Sequence, residues 1–269
     1  SGQALFERAQ GRGIPCAPAL SMAEALENEQ VTSRRFLVPA GLAGDAHGRL
    51  PGSVYVIDGE RRPTATRFPA LGADTAKVLA QWLDGSAAQA PAASATAAGN
   101  AAILPLSGIR VIDLGQLVAI PTAGQALAFL GAEVIVVESR SHPISRSFAP
   151  FAGEPAHDTS GLFNQINRNK RSCTLNLRTP EGRALAKRLA AMADVVIENF
   201  SPGTMEKLGL GYGELHALKP DLIMVSLSAA GHTGPWRNVS ALHSGIILLS
   251  GLAAVTGRRL SAHHRLDSA

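Results

Sequence analysis

Large rings are scarce in this chain: only 4% of its 269 residues are aromatic. Charge is scarce as well, at 17% against the usual quarter. A core with few rings must be packed from aliphatic and alanine side chains, and hydrophobic residues do make up 46%. Cysteine occurs twice, at Cys16 and Cys173, far apart and without metal-ligand spacing. That argues against a disulfide framework and fits a reduced, cytoplasmic setting. The longest apolar run, Ile246 to Val255, is too short to span a bilayer and carries Ser250 and Gly251. No secretory leader is visible. Glu138 closes a strand pattern as a ribose-binding acid would, but no G-x-G-x-x-G precedes it, so a dinucleotide site is not expected. The histidines offer no metal pair, because His263 and His264 are adjacent. The net charge is +4, with basic residues dispersed apart from Arg168 to Arg171. The plain reading is solvated surface, the sharper one is a small anionic ligand, and nucleic acid comes third; neither nucleic acid nor membrane is expected as a partner.

What is present is organised around Ser107 to Glu138. Arg110 to Leu114 is a short buried-strand run, and Pro121 suits the first turn of a helix, where a missing N–H costs nothing. Ala123 to Leu130 is a small-residue helix with Gly131 as its stop, and Val134 to Val137 is a second strand. Strand, crossover helix and strand within about 30 residues make a right-handed parallel βαβ unit. Ligands of open α/β sheets bind beyond the carboxyl ends of the strands. The site mouth is therefore expected at Gly115 to Pro121 and Glu138 to Arg146. Further strands are expected at Ser172–Leu177, Val195–Glu198 and Leu222–Leu227. Thr179-Pro180-Glu181 opens a helix by N-cap, N1 proline and dipole. Ala241 to Val255 reads as one long apolar helix. The alternation predicts an α/β, Rossmann-like parallel sheet with flanking helices.

Before it, Ser21 with Glu24 forms a capping box, and Phe36 to Ile57 is β-like. Gly85 to Ala102 is Ala/Ser/Pro-rich and cannot build a core, so it reads as a linker. Three parts are expected: 1–84, a smaller α+β segment; the linker 85–102; and the Rossmann-like part 103–269. The chain starts with Ser1 and ends in R-R-L-S-A-H-H-R-L-D-S-A, which reads as a piece of a longer protein.

Six segments together resemble the class III CoA-transferases, the carnitine dehydratase/bile-acid-inducible family that includes formyl-CoA transferase-like enzymes. They are G-I-R-V-I-D-L (Gly108 to Leu114), L-G-A-E-V-I-V-V-E (Leu130 to Glu138), N-R-N-K-R-S (Asn167 to Ser172), L-N-L-R-T-P-E-G (Leu175 to Gly182), A-D-V-V-I-E-N-F-S-P-G (Ala193 to Gly203) and G-H-T-G-P (Gly231 to Pro235). They keep the family's order and spacing across Gly108 to Gly257. The segment before the linker is similar to the same family's carboxyl end, through R-G-I-P-C-A-P (Arg12 to Pro18), S-R-R-F (Ser33 to Phe36) and P-A-L-G-A-D-T (Pro69 to Thr75). Tail before amino-terminal half implies a tandem protein whose junction this chain spans, a simpler account than a circular permutation.

The resemblance implies transfer of CoA from an acyl-CoA to a carboxylic acid through an aspartyl intermediate, with CoA as substrate and no permanently bound cofactor. Position by position, it implies CoA contacts at Val118, Ala119, Ser139, Arg140, Arg146, Asn169, Lys170, Arg171, Asn199, Phe200 and Lys207. Ile120 stands where many members have glycine. The nucleophile should follow Thr256-Gly257 in a Gly-Asp context. The only carboxylate there is Asp267, with no glycine before it, so no catalytic residue is assigned. The family also implies intertwined dimers, or intrachain pairing of tandem units. Two further readings stay open: a CoA-ester racemase of the same superfamily, with His243 one residue from the expected position, and a CoA-binding or assembly unit without turnover.

Overall fold

Residues 2–39, 48–61, 70–83, 104–154 and 157–256 are described in a computed structural model of this chain. The linker 85–102 and Asp267 lie outside them. The chain divides into two units. The first holds α1 (Gly2–Gln10), α2 (Met22–Glu27) and α3 (Glu29–Ser33). Two small antiparallel pairs follow: β1 (Leu37–Pro39) with β2 (Arg49–Pro51), and β3 (Val56–Ile57) with β4 (Glu60–Arg61). After them comes α4 (Thr75–Leu83). The capping box forms as expected, Ser21 accepting from the Glu24 N–H while Glu24 accepts from the Ser21 N–H.

The second unit is built on β5 (Arg110–Asp113), α5 (Ala119–Phe129) and β6 (Glu133–Glu138). A 3-10 turn (Ile144–Ser147), α6 (Gly161–Ile166), β7 (Arg171–Thr174), α7 (Pro180–Ala191) and β8 (Val195–Glu198) come next. Then α8 (Thr204–Lys207), α9 (Tyr212–Leu218) and β9 (Ile223–Ser226) complete it. The five strands form one parallel sheet in the order β7-β6-β5-β8-β9, the doubly wound order. Alternate residues face opposite sides. Val111, Val134 and Ile197 pack with Ile120 and Ala128 of α5. Ile112, Val137 and Val196 pack with Ala186 and Ala190 of α7, Met205 and Leu215. Both cores are aliphatic, as the shortage of rings requires.

Gly131, at φ +103°, ends α5, and Thr179 caps α7 by accepting from the Gly182 N–H, with Pro180 in the first turn. The long helix expected over Ala241–Val255 is instead two, α10 (His243–Leu249) and α11 (Leu252–Val255), in the first unit. Gly251, at φ +75°, breaks it. A Cβ there would meet the Met22 backbone at 2.9 Å, so the break is where α2 comes closest. The same unit joins Gln30 to the Thr233–Trp236 turn: Gln30 donates to the Thr233 carbonyl and accepts from the Trp236 N–H, both at 2.8 Å. Among the described residues, no helix is long and apolar enough to cross a membrane.

Candidate functional site

Each of the three central strands ends in a buried carboxylate: Asp113 on β5, Glu138 on β6 and Glu198 on β8. An acid out of water is costly unless it is paired or hydrogen-bonded. Asp113 accepts from the Gly115 N–H at 2.8 Å and pairs with the Lys170 ammonium at 2.7 Å. Glu198 accepts from the Phe200 N–H at 2.7 Å. Glu138 accepts two bonds from Arg146, at 2.7 and 2.8 Å, and one from Ser172 at 2.7 Å. These contacts fix the first turns of the loops at the carboxyl ends. Between those loops lies a cleft lined by Gly115, Gln116, Glu138, Ser139, His142 and Ser145.

Several expected ligand contacts sit at this mouth. Val118 and Ala119 are exposed where α5 begins, and Val118 caps the helix with no side-chain hydrogen bond. The first turn of α5 thus has no side-chain cap for its N–H groups. Ser139 lines the cleft, and Arg140 follows it, exposed.

The other expected contacts have protein partners or lie elsewhere. The Lys170 side chain is 1% exposed, and its three donors are spent on Asp113, the Pro121 carbonyl and Asn167. Burial pushes Asp113 up and Lys170 down, each toward its neutral form, while the ion pair opposes both. Arg171 pairs with Glu133, the first residue of β6, and so lies at the amino ends of the strands. Asn199 spends both polar atoms on Gln116, accepting from its N–H at 2.7 Å and donating to its carbonyl at 2.8 Å. Arg146 is held by Glu138 and Asp158 and lies over the Phe163 ring. Phe200 packs on the core. Lys207 lines a separate open groove with Arg183 and Lys187. Asn169 is exposed at φ +63° in the turn before β7, and His243 opens α10 on the surface.

Asp113 was the missed residue, and its signal was a lone carboxylate inside an apolar strand run. In the loop after β9, the buried Ser228 Oγ and His232 Nε2 have no hydrogen-bond partner. Among the described residues, no cluster of three or more His, Cys, Asp or Glu could hold a metal ion.

The sequence model of CoA-transferase family III matches residues 106–266, more than half of the chain. The chain belongs to CoA-transferase family III. Within this family it is similar to the succinyl-CoA–D-citramalate CoA-transferase of Chloroflexus aurantiacus, 45% identical over 161 residues, which are 57% of this chain and 38% of that protein. It is similar to the "Probable CoA-transferase Rv1866" of Mycobacterium tuberculosis, 33% identical over 232 residues, 86% of this chain and 28% of that protein. A CAIB/BAIF family crystal structure from Brucella suis superimposes with a TM-score of 0.54 at 42% identity, covering 58% of this chain and 41% of that one. The chain thus spans well under half the length of these relatives.

The Glu138 cluster carries a pH prediction. Burial pushes its carboxyl up, but the Arg146 and Ser172 hydrogen bonds, with the positive charges of Arg146 and His157, outweigh this and hold it below the ordinary 4.5. A carboxylate depressed in the folded state contributes stability above its unfolded value and loses it as pH falls through the folded value. Thermal melts of the second unit should be insensitive to this group above about pH 5 and fall below about pH 4.5. In Glu138→Gln that acid-limb slope should be shallower. An unchanged slope would rule Glu138 out as the cause.

Proposed function

We propose that this chain is part of an enzyme that moves coenzyme A from an acyl-CoA thioester to a carboxylic acid, and that the second unit cradles the CoA moiety. The observation that carries the reading is the uncapped start of α5, with Val118 and Ala119 exposed, together with a cleft lined by Gln116, Ser139 and His142 and an exposed Arg140 one residue after Ser139. Pyrophosphate and 3′-phosphate groups are bound by free N–H groups and a guanidinium. In the chemistry the family implies, an aspartate carboxylate attacks the thioester carbonyl. The C–S bond breaks, CoA departs as the thiolate, and an acyl-aspartyl anhydride remains to be resolved. The described residues supply binding and orientation for that step, and the nucleophile lies outside them.

The tandem arrangement is part of the proposal. The match to Rv1866 extends well beyond the 161 residues of the family match. Its coverage makes that protein about twice as long as the citramalate transferase. Both points support a preceding unit joined through residues 85–102.

Isothermal titration with CoA and acetyl-CoA tests the site. Saturable binding is expected, weakened about tenfold in Arg140→Ala, the loss of roughly one charged hydrogen bond. No heat from a chain that is folded by circular dichroism would overturn the reading.

A further inference from the structure

We infer that Asp113, Lys170, Asn199 and Ser145 are positioning residues that clamp the loop Gly115–Pro121, and that the family's lysine and asparagine act here through that loop rather than by touching ligand. The inference rests on the reading that this loop receives CoA. Its basis is convergence. The Gly115 N–H is taken by Asp113. The Gln116 N–H and carbonyl are both taken by Asn199. The Leu117 N–H is taken by Ser145 Oγ at 2.9 Å, and the Pro121 carbonyl by Lys170 at 2.7 Å. One buried ion pair thus holds both ends of a single loop, and side chains from β8's end and the 3-10 turn hold its middle.

Two features say that the loop is over-determined. Leu117 sits at φ +63°, a conformation a non-glycine residue keeps only when its surroundings enforce it. Gly124 leaves room for the pair, since a Cβ there would lie 2.5 Å from Asp113 Oδ2 and 3.2 Å from Lys170 Nζ. What the clamp delivers is the bare first turn of α5, held in place before any ligand arrives. Binding then bears no cost of ordering it. A lysine whose donors are all satisfied internally gains nothing from a phosphate, so Lys170 contributes through geometry.

The test pairs amide hydrogen exchange across residues 115–117 with CoA titration, in wild type, Asp113→Asn/Lys170→Met, Asn199→Ala and Ser145→Ala. The double variant removes both buried charges together. The other two each give up hydrogen bonds only to loop backbone, Asn199 lying outside the cleft lining that includes Ser145, and they keep the question open to test if the double variant does not fold. Expected is at least tenfold faster exchange in the loop, with β5, β6 and β8 amides still protected, and CoA affinity reduced about tenfold. Unchanged loop exchange would overturn the clamp whether or not CoA binds. Faster exchange with unchanged CoA affinity would overturn its role in binding while leaving the CoA site standing. No CoA binding by the wild type would sink the CoA reading and this role with it, and the exchange data alone would then decide whether the clamp exists.

Discussion

Lys170→Ala should lower the unfolding free energy by about 3–5 kcal/mol, because it strands the Asp113 carboxylate in a site from which water is excluded. Asp113 is 0% exposed and the Lys170 side chain 1%. For a unit of this size the loss should appear as a fall in melting temperature of about 6–20 °C. Asp113→Asn/Lys170→Met should recover most of it, since replacing a buried pair by neutral groups is often close to neutral. The double-mutant cycle separates the two effects. If the single and double variants melt together, the cost lies in packing around the lysine stem and not in the charge. Arg171→Ala, one residue along, should cost less than about 1 kcal/mol, because its ion pair with Glu133 is solvent-exposed.

The second large effect is expected at Gly182, in the first turn of α7. A Cβ there would lie 2.0 Å from the Asn176 carbonyl oxygen and 2.6 Å from its carbon. Those are backbone atoms and cannot swing aside, so either α7 or the turn before it must move. Gly182→Ala should therefore cost about 3 kcal/mol, at or above the upper end for overpacking. Gly213 in α9 is the control, with nothing within 4 Å of its added Cβ. Gly213→Ala should raise stability by about 0.4–1 kcal/mol through the unfolded state. Denaturant titration of both variants checks the pair; equal midpoints would mean that the close approach at Gly182 relaxes without cost.

Much of this fold was legible because its signals are local. Short apolar runs marked β5, β6, β8 and β9, and the strand-helix alternation implied the parallel order. Thr179-Pro180 and Ser21-Glu24 announced helix starts through contacts three residues long. Gly251 was visible too, but its backbone role depends on Met22, more than 200 positions away, and no periodicity carries that. The site was less legible for the same reason. Lys170 and Asp113 are 57 positions apart. A run such as N-R-N-K-R-S reads as exposed cationic surface until the fold places the lysine beneath α5. Asn199 similarly reads as turn chemistry, and only the sheet brings it beside Gln116. Sequence marked residues around the mouth, while the fold decided which are exposed there and which hold the frame.

The three carboxylates at the strand ends have one more consequence. Asp113 and Glu198 each tie off their loop two residues downstream, and Glu138 does so through Arg146. Each loop is thus anchored at its own root, independently of what its tip carries. The roots differ in reach: beyond Phe200 the chain can vary without touching the Glu198 hydrogen bond, whereas the loop after Gly115 is also held at Gln116, Leu117 and Pro121, so a change there is felt in Asn199, Ser145 and Lys170.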